Sequence, residues 1–81
     1  MKRCKTKDEL EWGLYFGCNL QRMLRIKDIT QQRLAKELGV TEAMVSRYIR
    51  GTAVPSAYKA CMIASIIGCR IDDLIKTEYE D

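Results

Sequence analysis

Apolar residues recur three and four positions apart along most of the 81-residue chain, and no alternating β-branched run appears. That spacing predicts an all-α fold. The first periodic face is Trp12, Phe16, Leu20, Met23 and Leu24. Thr6 and Glu9 precede it as a T-x-x-E capping box, so a first helix is expected from Thr6 to about Lys27. Gly13 and Gly17 weaken its middle. They mark either a close contact with another helix or a break into two helices.

Short, sharply punctuated elements follow. Thr30 is placed to cap a helix over Gln31–Leu38, with Leu34, Ala35 and Leu38 inward and Gly39 as a left-handed C-terminal cap. Thr41 is placed to cap a third helix, Glu42 to Arg50, with Val45, Tyr48 and Ile49 inward and Gly51 at its end. Pro55 and Ser56 open a fourth, to about Ile67, on a core stripe of Ala60, Ile63, Ala64 and Ile67. A fifth is expected over Ile71 to Thr77, with Asp72 and Asp73 in the first turn, where negative charge suits the helix dipole. The result is one domain, residues 1–81, with a core over 16–75, a basic arm at 1–5 and an acidic tail at 78–81. The arm either touches an anionic partner or serves only as a solubilising tail.

Charge adds an asymmetry. Residues 1–59 hold twelve Lys/Arg and six Asp/Glu (+6), and residues 60–81 hold two and five (−3). A basic body suits an anionic partner on one side. No apolar run approaches the ~20 residues of a membrane span, and the N-terminus lacks a signal-peptide core, so a cytoplasmic protein is expected. Cys4, Cys18, Cys61 and Cys69 form no CxxC pair, and there is no His. This argues against a metal site, and Cys18 and Cys61 are expected as small core residues. With no evident nucleophile–base pair, an enzyme is not expected either.

The ordered set Thr30-Gln31, Leu34-Ala35, Gly39-Val40-Thr41, Val45-Ser46, Gly51, Pro55, Ile63-Ala64 and Ile71 to Leu74 resembles the helix-turn-helix domain of lambda-repressor and Cro-type regulators, the XRE family. The resemblance spans about Phe16 to Ile75. It implies a compact five-helix domain, here with an N-terminally extended first helix, whose third helix enters the major groove of double-stranded DNA. Glu42, Ala43 and Arg47 match the family's base-reading positions. Arg47 suits a bidentate contact to guanine, worth ~1–3 kcal/mol of discrimination, and Ala43 suits a thymine methyl. Glu42 either accepts from cytosine N4 or only favours the helix N-terminus electrostatically. Ser46, one turn on, reaches a base or a phosphate. Phosphate contacts are expected from Gln31, Gln32 and Thr41 at two helix N-termini. Arg50, Thr52, Ser56 and Lys59 resemble the family's second phosphate clamp. Arg33 and Lys36 are expected as solvated charges.

Three departures from the family stand out. Leu24 and Ile49 occupy positions where many members bury an Arg–Glu pair. The two are expected to touch, and Ile49→Glu to destabilise the fold because its charge would lack a partner. Met62 and Ile66 are apolar where the family is usually polar or small, and lie one turn apart. They form either a partner surface, together with Tyr79, or a wider core stripe covered by the N-terminal segment. Arg70 replaces the usual Ser or Thr cap of the fifth helix, at ~1 kcal/mol.

The resemblance implies a sequence-specific transcriptional regulator, a repressor binding a palindromic operator as a homodimer, with no cofactor. Two alternatives stay open: a DNA-binding antitoxin that also holds a toxin (or an anti-repressor), and a protein-interaction module that kept only the fold.

Overall fold

The computed structural model describes residues 5–75, with side chains described for residues 11–75. The described residues form five helices: α1 (Lys5–Lys27), α2 (Gln31–Leu38), α3 (Glu42–Arg50), α4 (Ala57–Ile67) and α5 (Ile71–Ile75). α1 already includes Lys5, so Thr6 lies within the helix and not at its cap as expected. The side chains of Thr6 and Glu9, and the end of α5 expected beyond Ile75, lie outside the described residues.

The capping residues do what their chemistry predicts. Thr30 and Thr41 are extended, and their hydroxyls accept from Arg33 N at 3.0 Å and Met44 N at 3.1 Å. Ser56 does the same for Lys59 N at 3.2 Å. Each such cap is worth about 1 kcal/mol. α5 lacks a Ser or Thr cap, but Asp73 compensates. Its carboxylate accepts from the Arg70 amide at 3.2 Å, the return half of a capping box. That bond offsets part of the cost expected from Arg70.

Four helices close with one motif, a bond from the second residue past the helix back to the third residue before its end. Val40 N reaches Ala35 O at 3.0 Å, Thr52 N reaches Arg47 O at 3.0 Å, and Cys69 N reaches Ala64 O at 3.0 Å. In these three the residue at positive φ is glycine. The fourth, Ile29 N to Leu24 O at 2.9 Å, ends α1 and places Asp28 at φ 59. Asp is among the few non-glycine residues that tolerate this conformation, but its charge also sits at the negative end of the α1 dipole. Asp28→Gly is therefore expected to raise the unfolding free energy by about 1 kcal/mol. Asp28→Val is expected to lower it by about as much or more. Urea denaturation of the two variants checks the pair.

One core joins the helices. It comprises Phe16, Leu20 and Leu24 of α1, Leu34, Ala35 and Leu38 of α2, Val45 and Tyr48 of α3, Ala60, Ile63, Ala64 and Ile67 of α4, and Leu74 of α5. α1 packs on α3 and α5, and α2 packs on α3 and α4. Trp12 is half-buried and stacks on Phe16, with ring centroids 5.4 Å apart and planes at 13°. Asn19, unremarked in the sequence, is 1% exposed, and its Nδ2 donates to Leu74 O at 2.9 Å. This buried bond ties α5 to α1.

Gly13 and Gly17 resolve as a close contact. α1 is continuous through both. A Cβ at Gly17 would overlap the Ile49 carbonyl oxygen and lie 2.6 Å from that of Tyr48. A Cβ at Gly51 would lie 2.8 Å from Leu14 Cδ2. The backbones of α1 and the end of α3 therefore touch directly.

One expectation about the core needs correction. Cys18 and Cys61 are exposed, not core residues. Cys18 lies two positions from both Phe16 and Leu20, so it points away from their line. Cys61 lies beside the α4 stripe, not on it. Met62 and Ile66 are half-buried and packed against the core, and each keeps part of its side chain at the surface. The exposed large apolar residues among those described are Leu14, Ile26, Val54 and Tyr58. Tyr79 lies outside the described residues. Leu24 is buried and Ile49 half-buried against the same core. Because Ile49 keeps some exposure, Ile49→Glu is expected to cost about 1–2 kcal/mol by chemical denaturation. No loss of stability would refute the apolar replacement.

Cys69 is half-buried, and burial pushes its thiol above the usual range. The Asp73 carboxylate pushes the same way, and Lys27 opposes. A raised pKa leaves less thiolate near neutral pH, and the thiolate is the reactive form. Iodoacetamide at pH 7.5, read by peptide mass mapping, is expected to modify Cys18 and Cys61 before Cys69.

Candidate nucleic-acid interface

The interface is built on α3. Val45 and Tyr48 anchor its inner face in the core, and its outer face carries Glu42, Ala43, Ser46, Arg47 and Arg50. Glu42, Ala43, Arg47 and Arg50 are exposed, and Ser46 is half-exposed. The sequence-predicted reading residues thus share one side of one short helix. Both ends of that helix are fixed. Thr41 caps the start. At the end, the Thr52 amide and hydroxyl both donate to Arg47 O, at 3.0 and 3.3 Å.

The expected phosphate-binding residues fall into two groups. Gln31 is half-exposed and Gln32 exposed at the start of α2, and Thr41 is exposed before α3. Free amides at a helix start are ready donors to an anion. Thr52, Ser56 and Lys59 follow around the α3–α4 loop, with Lys59 half-buried. Thr52 and Ser56 have structural work as well, since their hydroxyls serve the end of α3 and the start of α4. A capping side chain leaves the neighbouring amides available, so the two roles are compatible.

Charge pairing separates the cations. On α2, Arg33 Nε meets Glu37 Oε2 at 3.0 Å, an exposed pair that engages Arg33 locally. Arg70 meets Asp72 at 3.7 Å, also exposed. Such pairs contribute at most about 1 kcal/mol. Among the described residues, Arg47 and Arg50 have no carboxylate partner within ion-pair distance. Arg50 instead donates from Nη1 to Ser46 Oγ at 2.8 Å. That contact, not legible from residue spacing, links two positions to which the sequence assigned separate roles. Glu42 occupies the first turn of α3, where its charge favours the helix in the free protein.

The fold and this outward face coincide with a family match. A helix-turn-helix family model, of the lambda-repressor type, matches residues 20–74. The chain belongs to the helix-turn-helix family. The match runs from Leu20 in α1 to Leu74 in α5, so it takes in α2, α3 and the turn between them. Membership makes the chain a DNA-binding regulator in general terms. No curated protein and no solved structure matches it. Among the described residues, no helix is long and apolar enough to cross a membrane.

Proposed function

We propose that this helix-turn-helix protein is a sequence-specific transcriptional repressor that inserts α3 into the major groove. The observation that carries the reading is the division of α3. Its inner face is locked by Val45 and Tyr48, and its outer face presents Arg47 without an acidic partner among the described residues. An exposed guanidinium on the outer side of α3, not engaged by a carboxylate, suits readout of a base edge. Glu42 and Ala43 complete the N-terminal part of the reading surface, and Ser46 lies one turn on. Gln31, Gln32 and Thr41 on one side, and Thr52, Ser56 and Lys59 on the other, supply phosphate contacts that set register.

The operator on this reading is palindromic and is bound by two copies, whose reading helices lie ~34 Å apart to meet successive major grooves. Repression follows from occlusion of a promoter.

Selection of bound duplexes from a random pool tests the proposal. A recovered palindrome, with log K falling linearly against log salt, supports it. Recovery of no sequence at low salt overturns it and leaves a protein-interaction role. A non-palindromic site bound by one copy overturns the dimer.

A further inference from the structure

Two stripes run along the outer side of α3. Ala43 and Arg47 lie on one; Glu42, Ser46 and Arg50 lie on the other, each four residues after the last. The position of Arg50 in the final turn of α3 suggests a phosphate contact at the edge of the groove. Its side chain does something else. The Nη1–Oγ bond to Ser46, at 2.8 Å, lays the arginine back along the helix toward the N-terminus. This carries the guanidinium about one turn, roughly 6 Å of rise, toward the end of α3 that meets base edges. There it stands level with Ser46 and one residue from Arg47. Ser46 takes one of five N–H donors, and the remaining four include adjacent pairs suited to a guanine edge.

We propose that Arg50 is a base-reading residue that selects a second guanine, and that Ser46 is the positioning residue that holds its guanidinium in place. The inference rests on α3 being the recognition helix and reverses the roles that sequence position alone assigns to both residues. Ser46 ceases to be an independent reader, and Arg50 ceases to be a point-charge clamp.

The substitution Arg50→Lys separates the two roles. It keeps the charge that a phosphate requires and removes the fork that a guanine requires. Duplexes would be selected from a random pool with wild type, Arg50→Lys, Ser46→Ala and the double variant, after thermal unfolding confirms that each is folded. Arg50→Lys is expected to reduce preference at one G·C position by about tenfold or more, with the salt dependence nearly unchanged. Ser46→Ala should weaken the same position to a lesser degree and add nothing in the Arg50→Lys background. An Arg50→Lys protein that selects the wild-type sequence undiminished overturns the proposal, as does a Ser46→Ala effect at a different base pair. If the wild type selects nothing, the DNA-reading function itself fails. If the wild type selects an operator and Arg50→Lys keeps it, only the present inference fails.

Discussion

Gly17→Ala is expected to lower the unfolding free energy by about 3 kcal/mol, although alanine in place of glycine within a helix ordinarily stabilises by roughly 1 kcal/mol. The sign reverses because the new methyl has nowhere to go. It would overlap the Ile49 carbonyl oxygen and come within 2.6 Å of the Tyr48 oxygen. Both obstacles are main chain of α3, so no side-chain rotation relieves them. α1 would have to lift away from α3 and loosen Phe16 and Leu20, both fully buried. Gly13 provides the internal control. A Cβ there meets Val54 Cγ2 at 3.2 Å and Gly51 O at 3.3 Å, a crowding that small shifts absorb. Gly13→Ala is therefore expected near neutrality, its propensity gain set against mild overpacking. For a domain of this size, 3 kcal/mol corresponds to a fall in Tm of roughly 12–24 °C. Thermal and urea unfolding of the two variants side by side decide the matter, and a Gly17→Ala protein as stable as wild type would remove the backbone contact between α1 and α3.

The same contact shows which parts of the molecule were legible in the residues. α2 and α3 could be bounded closely because Thr30, Thr41, Gly39 and Gly51 each perform one local task, and local tasks are written in neighbouring residues. The α4 stripe was legible for a similar reason, since Ala60, Ile63, Ala64 and Ile67 follow helical spacing without interruption. What the sequence left open depends on partners distant along the chain. Gly17 signalled either a break or a close approach, and only the carbonyls of Tyr48 and Ile49 decide between them. Asn19 carries no sign that its amide meets a carbonyl 55 positions away. Met62 and Ile66 allowed either a partner surface or a wider stripe because their burial depends on the packing of α4 among α1, α2 and α5. Asp28 is a different case. A non-glycine residue at positive φ is uncommon enough that a turn of Lys27, Asp28 and Ile29 does not announce it. In the interface, the outward face of α3 followed from its period, but the bond between Arg50 and Ser46 did not. Spacing places two side chains on one stripe and leaves their rotamers undetermined.

Arg47→Ala is the second decisive variant, and its expected result is a loss of sequence preference greater than its loss of affinity. Alanine spares the structural work at this position. The cap at the end of α3 uses the Arg47 carbonyl, which accepts from Thr52, and the main chain is unchanged by the substitution. Alanine also has the highest helix propensity, and the arginine side chain is exposed, so the fold is expected to persist. Any change in binding then belongs to the interface. If Arg47 forms a bidentate contact to guanine, discrimination at that base pair falls by ~1–3 kcal/mol, roughly 5- to 150-fold. Lys59→Ala is the counterpart. Lys59 stands in the first turn of α4, just after the α3–α4 loop, where a phosphate contact carries no base information. That variant is expected to weaken binding to all duplexes alike and to reduce the salt slope by about one. Competition titrations of each variant against the selected operator and its single-base derivatives, at two salt concentrations, separate the outcomes. Uniform weakening by Arg47→Ala, with preference intact, would move Arg47 to the phosphate-contacting set. The reading of sequence would then fall to Glu42, Ala43 and Arg50.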